Sequence, residues 1–390
     1  MKLLLVSPYH GGSHQAWAEG YCRASKLKVE LLTLPARFWK WRIHGGAITL
    51  ARRFNDADFK PDLILATDML DLTTFLSLTR TTTHHIPVTL YMHENQLTYP
   101  LPDDKHTGPM RRQLGERDYH YAFINYASML AADQVWFNSR YHLDSFFTAL
   151  SNFLKHFPEY NELGSLKKLR EKSEVMPIGI DLQRLDRGYI AENNSIKDPL
   201  QPLILWNQRW EYDKNPEAFF SALDILAYEG LPFRVAICGQ QFGKQPHVFD
   251  EGFERLGDRM VHFGYADPNT YTRLLWASDI TISTAHHEFF GISILEAIYA
   301  HTFPILPARL SYPELLPSEF HQDCLYQDFE DLLDRLRKAL LNIRETRYIA
   351  AALAEHSAVY DWKYLSQRYD KNLTRLINQA HHEAYSSRSN

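Results

Sequence analysis

Apolar runs of three to seven residues alternate with helix-patterned stretches twice along this 390-residue chain, and a polar interruption separates the two series. That alternation constrains the fold more than any other feature. It is the pattern of parallel α/β sheets, whose strands are covered on both faces and therefore read as continuous apolar runs. The first series predicts strands at Leu3–Ser7, Val29–Leu34, Leu63–Thr67, Val88–Met92, Gln134–Asn138 and Glu174–Met176. The second predicts strands at Leu203–Trp206, Arg234–Cys238, Met260–Phe263, Asp279–Ser283, Phe303–Leu306 and Cys324–Tyr326. Helices expected between them include Ala16–Ser25, Leu70–Thr79, Tyr119–Ala132, Tyr141–Leu154, Pro216–Tyr228 and Gly291–Ala300. Pro177-Ile178-Gly179-Ile180-Asp181 reads as a turn, and the stretch to Pro202 is polar and irregular, with Asn193-Asn194-Ser195 at its centre. The expectation is an α/β chain of two domains, 1–187 and 202–360, with a linker at 188–201 and a cleft between them. Ligands of such sheets bind beyond the carboxyl ends of the strands, so the loops after strands should carry the chemistry.

Composition removes several classes of function. Hydrophobic residues are 45% and charged residues 23%, values of a globular chain and not of a disordered or collagenous one. Cys22, Cys238 and Cys324 are too few and too scattered for a disulfide framework or a multi-cysteine zinc site, and they suit a reducing, cytoplasmic compartment. No uncharged apolar run reaches the roughly 18 residues that suggest a membrane span. The apolar start Leu3-Leu4-Leu5-Val6 is short and ends at Ser7-Pro8, as a core strand does and a signal peptide does not. The first 190 residues hold 23 Lys and Arg against 20 Asp and Glu, while the remainder holds 19 against 27. A polyanion would therefore meet the front half, unless the asymmetry is incidental.

Four post-strand loops stand out. Tyr9-His10-Gly11-Gly12-Ser13-His14 joins a strand to a helix, and its glycines let backbone approach an anion at the helix start; a plain tight turn is the alternative. His93-Glu94-Asn95-Gln96 places a polar cluster after the fourth strand. Position 97 is Leu, so the metal motif H-E-x-x-H is incomplete, and a hydrogen-bonded loop histidine is the alternative. Arg209 and Lys214 precede Asn215-Pro216, which reads as a helix cap with Pro in the first turn. Two cations beside a positive helix end fit a diphosphate, although two ordinary surface cations would look the same. In His287-Glu288-Phe289-Phe290-Gly291-Ile292-Ser293-Ile294-Leu295-Glu296, Glu288 lies in the loop and Gly291 opens a helix. Glu296 should sit about 7–8 Å further along it. Two carboxylates at a helix mouth can hold separate hydroxyls of one extended ligand. A stray Glu on an amphipathic helix is the alternative, but a carboxylate inside an apolar run needs a partner.

The Glu288-x7-Glu296 pattern with Phe290-Gly291 resembles the signature of retaining, nucleotide-sugar-dependent glycosyltransferases of the GT-B architecture, two Rossmann-like domains with parallel sheets facing an interdomain cleft. More narrowly, an ordered set of segments resembles the tRNA-queuosine mannosyltransferase family. These are Gly11-Gly12-Ser13-His14, Leu34-Pro35-Ala36, Trp39-Lys40-Trp41-Arg42, His93-Glu94-Asn95-Gln96-Leu97, Arg209-Trp210-Glu211, Asp213-Lys214-Asn215-Pro216, His286-His287-Glu288-Phe289-Phe290-Gly291 and Tyr312-Pro313-Glu314. The resemblance implies a GDP-mannose donor, held mainly by the second domain, and an acceptor that is the cyclopentene diol of queuosine in a tRNA anticodon. It implies that residues 361–390 return to the first domain as a helix. By the same resemblance His93, Arg209, Lys214 and Glu288 are the catalytic group. Gly11, Gly12, Phe290, Gly291, Ile292 and Glu296 would bind the donor, with Glu288 at the sugar and Glu296 at the ribose. Trp39, Lys40, Trp41, Arg42, Glu94 and Asn95 become acceptor-binding candidates, since splayed bases stack on aromatic rings while cations meet phosphates; the start of a core-packing helix is the other reading of residues 37–42. Arg52-Arg53, Arg111-Arg112 and Lys167-Lys168-Leu169-Arg170 extend the basic surface.

Neither a metal nor another cofactor is expected, because Arg209 and Lys214 would neutralise the diphosphate. The family's usual glycine after the second carboxylate helix is His301-Thr302 here, and its Gly-Arg loop opening is Gln208-Arg209. Spacing does not choose the donor base, and the sequence sets no oligomeric state. The rivals are a glycosyltransferase using another nucleotide sugar and a small-molecule or glycan acceptor, and a non-catalytic nucleotide-sugar or tRNA-binding protein.

Overall fold

The computed structural model describes residues 1–100, 119–191, 197–239 and 247–386. Arg111-Arg112 and Asn193-Asn194-Ser195 lie outside the described residues. The chain divides into two compact units, Met1–Ile180 with Trp362–Asn390, and Asp181–Asp361.

The first unit is built on six parallel strands, β1 (Lys2–His10), β2 (Lys28–Pro35), β3 (Leu63–Thr67), β4 (Val88–Met92), β5 (Gln134–Phe137) and β6 (Ser173–Val175). Their order is β2-β1-β3-β4-β5-β6, which puts the first strand inside the sheet. Leu3–Val6, Leu63–Ala66 and Val88–Met92 are buried, as sheet covered on both faces requires. β1 runs three residues past the expected end at Ser7. Pro8 has no N–H to give the ladder, and the register against β2 shifts between Ser7 and His10.

Local signals set the helix starts. Asp71 accepts from Thr74 N (3.0 Å) and Ser139 from His142 N (3.0 Å), each opening a helix that packs on the sheet. A further helix, Trp39–Asn55, contains the adjacent glycines Gly45 and Gly46. A Cβ on Gly46 would come within 2.9 Å of Pro8 Cβ, so this glycine lets the helix lie close to β1.

The last helix, Trp362–Ser386, belongs to this unit. Its Tyr369 hydroxyl accepts from Trp17 Nε1 (3.2 Å) and donates to Pro177 O (2.7 Å). Asp370 accepts from Tyr21 Oη (2.8 Å), Ser25 Oγ (2.6 Å) and Lys26 N (2.8 Å). Trp362 fills the space where side chains at Gly20 and Gly179 would stand; a Cβ at either would approach the indole to 2.2 or 2.3 Å.

The second unit repeats the plan with β7 (Leu203–Trp206), β8 (Arg234–Cys238), β9 (Met260–Gly264), β10 (Ile280–Ile282), β11 (Phe303–Pro307) and β12 (Leu325–Tyr326), in the order β12-β11-β10-β7-β8-β9. Both sheets are parallel throughout. The unit begins at Asp181, ahead of the expected division at 187, because residues 181–187 pack onto it. Trp276 Nε1 donates to Leu185 O (2.8 Å) and Tyr299 Oη to Asp186 Oδ1 (2.9 Å). Asp361 Oδ2 also accepts from Leu182 N (2.9 Å).

Candidate active site

In the second unit the loop from β7 to the helix Pro216–Tyr228 is pinned to the loop after β10. Asn215 takes a left-handed backbone (φ 50°), and its side chain accepts from Ala218 N (3.4 Å) while Pro216 opens the helix. Thr284 Oγ1 donates to the carbonyls of Lys214 (2.9 Å) and Asn215 (2.8 Å), and His286 N donates to Asp213 O (2.8 Å). The two loops therefore form one floor, and Lys214 points into it.

Lys214 Nζ lies 2.7 Å from His287 O, 3.4 Å from Glu288 Oε2 and 3.2 Å from Asp213 Oδ2. Two of the ammonium hydrogens are thus donated, to His287 O and Glu288 Oε2, and Asp213 adds an ion-pair contact. The side chain is buried. Arg209 differs: its guanidinium stays 43% exposed, 3.2 Å from Glu211. Of the two expected diphosphate cations, Arg209 keeps its guanidinium partly exposed, whereas Lys214 holds the Glu288 loop from beneath.

Glu288 Oε1 accepts from Phe290 N (3.2 Å). Burial alone would raise this carboxyl, but Lys214, the Phe290 amide, His287 and Arg209 together bring it below the ordinary glutamate value. Burial, reinforced by Lys214, pushes His287 down to about 4, so the imidazole is neutral at pH 7. Gly291 then opens the helix Ile292–Tyr299 at φ 108°, where a Cβ would also approach Leu315 Cδ1 to 2.9 Å. The first-turn amides of that helix, from Ile292 on, have no acceptor within the helix itself. Phe290 is buried and packs edge-on to Tyr360, with centroids 5.7 Å apart.

Glu296 belongs to another network on the same helix. Arg184 bonds one carboxylate oxygen, and Tyr271 Oη donates to the other (2.8 Å). Asn207 Nδ2 reaches Tyr271 Oη (3.2 Å) and Ser293 O (2.7 Å). The partner that a carboxylate in an apolar run requires is thus supplied twice. Immediately beyond the helix, His301 stands at φ 56°, a left-handed conformation that glycine takes at least cost.

In the first unit, loops after three strands gather around His93. Its backbone N donates to Asp68 Oδ1 (2.9 Å), after β3, and its carbonyl accepts from Asn138 Nδ2 (2.8 Å), after β5. The imidazole stacks near His14 (centroids 4.4 Å) and sits edge-on to Trp17 (4.5 Å), with Nδ1 3.4 Å from Asp68 Oδ1. Burial pushes His93 down to about 3; His14 also falls to about 3 through burial and its neighbour His93. Burial pushes Asp68 up to about 6. Gly11 lies close to Ala36, since a Cβ would approach Ala36 Cβ to 2.5 Å, whereas Gly12 (φ 54°) faces open space.

The acceptor candidates part company. Asn95 is fully buried and forms the hub of its own turn, accepting from Leu97 N (3.0 Å) and Thr98 N (2.9 Å), so it presents no polar atom to an acceptor. Glu94 accepts from Gln96 Nε2 (3.2 Å). Trp39 packs 5.4 Å from Tyr121, and Lys40 Nζ lies 5.6 Å from the Trp39 ring and 5.8 Å from the Tyr121 ring. Arg42 Nε donates to Pro35 O (3.0 Å). Trp41 stands exposed.

Sequence reasoning missed Asp68, Arg184 and Tyr271. Asp68 follows strand β3 directly, so the post-strand rule that picked out His93 would have found it. Arg184 and Tyr271 carry no local signal. Among the described residues, no group of three or more His, Cys, Asp or Glu is placed to hold a metal ion, and no helix is long and apolar enough to cross a membrane.

Residues 2–180 match the family described as tRNA-queuosine alpha-mannosyltransferase N-terminal, and residues 191–353 match glycosyl transferases group 1. The chain is 33% identical over 325 residues to a Drosophila melanogaster tRNA-queuosine alpha-mannosyltransferase, covering 81% of this chain and 82% of that one. It is 26% identical over 197 residues to an Arabidopsis thaliana sulfoquinovosyl transferase, covering 47% and 36%. Similar solved structures include sucrose-phosphate synthase from Thermosynechococcus elongatus, with a TM-score of 0.68 and 14% identity over 97% of this chain and 100% of that chain. A trehalose-6-phosphate synthase matches with a TM-score of 0.70 and 12% identity over 96% and 99%. These likenesses carry the fold: two Rossmann-like domains of GT-B type.

Proposed function

The chain belongs to the tRNA-queuosine alpha-mannosyltransferase family and is a glycosyltransferase that acts on queuosine in tRNA; from that premise we propose that its donor is GDP-mannose, that it needs no metal, and that it acts in the cytosol. The clustering of Arg209, Lys214 and Glu288 beside the helix mouth at Gly291 carries the reading. Negative charge grows on the departing GDP, and preorganised donors aimed at such charge are worth about 3–4 kcal/mol each. Arg209 supplies exposed N–H groups and the first turn of Ile292–Tyr299 supplies amides. Lys214 adds positive charge beneath them while fixing the loop that carries Glu288. Glu288, kept ionised, grips mannose hydroxyls, and Glu296 takes the ribose hydroxyls. Three free cysteines, two of them buried, suit a reducing compartment.

The product keeps the α configuration of the donor in this reading, and the donor phosphate oxygen accepts the proton of the acceptor hydroxyl on the face it leaves. Glu288 then positions and does not become glycosylated. A Glu288→Gln variant keeps measurable turnover, read as labelled mannose passing from GDP-mannose to queuosine-containing tRNA. A covalent mannosyl adduct accumulating on the variant would rule out the same-face route. The donor itself is tested by thermal shift across a panel of GDP- and UDP-sugars, where a ligand at a hundred times its Kd adds about 2.7 kcal/mol. Stabilisation by a UDP-sugar and none by GDP-mannose would replace the donor.

A further inference from the structure

We propose that Phe38 and Trp41 form a prebuilt stacking platform for unpaired bases of the tRNA anticodon loop, and that Gly45 exists in its helix to build it. The inference rests on the reading that the acceptor is a queuosine-containing tRNA, and it names a part of the protein that would receive it.

Three observations converge on the start of the helix Trp39–Asn55. Phe38, at the position just before the helix, takes a left-handed backbone (φ 50°) and leaves its side chain 80% exposed. A bulky residue in that conformation is strained, and nothing in the packing accounts for an apolar ring left in water. Trp41, three residues on, is 64% exposed. Its indole nonetheless has a fixed seat: a Cβ added at Gly45 would lie 2.8 Å from Trp41 Cζ2 and 2.9 Å from Cε2. The ring therefore rests on the bare backbone at Gly45, one turn along, with its outer side open to solvent. Glycine weakens a helix interior relative to alanine. Here it removes the one atom that would lift the ring, which turns a mobile surface tryptophan into a held flat surface.

Charge chooses the occupant. Residues 37–42 at the helix start carry Arg37, Lys40 and Arg42 and no Asp or Glu, while Arg52 and Arg53, in the last turn, are engaged by Asp56 and Thr33 O. Held aromatic faces interleaved with cations are what single-stranded RNA needs: stacking is indifferent to base identity, and the cations meet the phosphates. Trp39 has a different part. It packs on Tyr121 with Lys40 nearby, so it anchors the helix start and leaves Phe38 and Trp41 outward.

The test compares Phe38→Ala/Trp41→Ala, Gly45→Ala and native protein for binding of queuosine-containing tRNA over a salt series, with GDP-mannose thermal shift measured in parallel. Stacking of one base corresponds to roughly 5- to 150-fold in affinity. The double variant should weaken tRNA binding at least that much while keeping the salt slope, since no phosphate contact is lost. Gly45→Ala should melt no lower than native protein, because alanine favours the helix, yet bind tRNA several-fold more weakly. Native tRNA affinity in a folded double variant overturns the platform. So does loss of binding to anionic lipid vesicles with tRNA affinity intact, which would make the patch a membrane contact. Both results leave donor binding and transfer untouched, and failure of transfer in native protein would instead strike the reading of function.

Discussion

Arg209 and Lys214 carry the same sign, yet the structure sets them different tasks, and truncating each separates the two. In Lys214→Met the ammonium leaves His287 O and Glu288, and the buried Asp213 loses its ion-pair partner. Two unit charges near 3.3 Å attract by about 5 kcal/mol at an effective dielectric of 20, and much of that is cancelled by desolvation. Breaking such a buried pair from one side destabilises by about 3–5 kcal/mol. For a unit of this size that lowers Tm by roughly 6–20 °C. Arg209→Ala removes a half-exposed pair with Glu211, worth no more than about 1 kcal/mol after solvent screening, so Tm should move by at most roughly 4 °C. Activity should not follow stability. On the proposed reading Arg209→Ala loses a group facing the departing diphosphate and should lose about 10²–10³ in turnover, while Lys214→Met loses the charge beneath that site together with the hold on the Glu288 loop, and turnover should fall with it. Because that stabilisation exists only in the transition state, kcat and kcat/KM fall together. The assay is labelled mannose transfer at saturating GDP-mannose and tRNA, beside calorimetric melting. A folded Arg209→Ala enzyme turning over within threefold of native would refute the leaving-group assignment.

With Glu296 taking the ribose hydroxyls as proposed, Glu296→Gln should raise KM for the nucleotide sugar by roughly 10- to 100-fold with kcat nearly unchanged; a collapse of kcat at constant KM would move Glu296 to the sugar. The buried His14–His93–Asp68 group makes stability pH-dependent. His14 and His93 have folded values near 3, below the ordinary 6.5, so their contribution is lost as pH falls from about 6.5. Asp68, raised to about 6, gains its proton first in the folded state and offsets one of the two. Between pH 6 and pH 4 these three groups should take up about one net proton on unfolding, a loss of about 1.4 kcal/mol per pH unit, and Asp68→Asn should roughly double that slope. Urea unfolding across the range measures it, and equal slopes in the two proteins would mean that folded Asp68 takes up no proton between pH 6 and pH 4, which would refute its raised value.

The central strands were legible because both their faces are covered, so a continuous apolar run was the signal; β2, β6 and β9, half-buried and mixed in residue type, were legible from their place in the strand–helix alternation. The Trp39–Asn55 helix was not. Its aromatic and basic start mixes core and surface residue types, and Gly45-Gly46 argues against a helix until Trp41 and Pro8 are seen occupying the missing Cβ positions. At the site, the Asn215 cap, the Pro216 start and the helix opening at Gly291 were written locally in loop chemistry. The partners of Glu296 were not, because Arg184 lies 112 residues away and Tyr271 lies 25 away. The polar look of His93-Glu94-Asn95 does not show that Asn95 is a buried turn hub: asparagine serves an exposed contact and a buried turn equally well, and only tertiary packing decides.

The final helix gives the first unit a discontinuous recipe. Trp17, Tyr21 and Pro177 wait for Tyr369 and Asp370, which emerge only after the whole of Asp181–Asp361 has been made. At roughly 5–20 residues per second, that delay is on the order of ten to forty seconds during translation. Throughout it, the groove that receives Trp362 beside Gly20 and Gly179 is bare, and the earliest residues to leave the ribosome belong to the last body to be finished. A nonsense codon near position 361 would spare every residue of the second unit and cripple the first, so a lesion at the far end of the gene would be felt at its beginning.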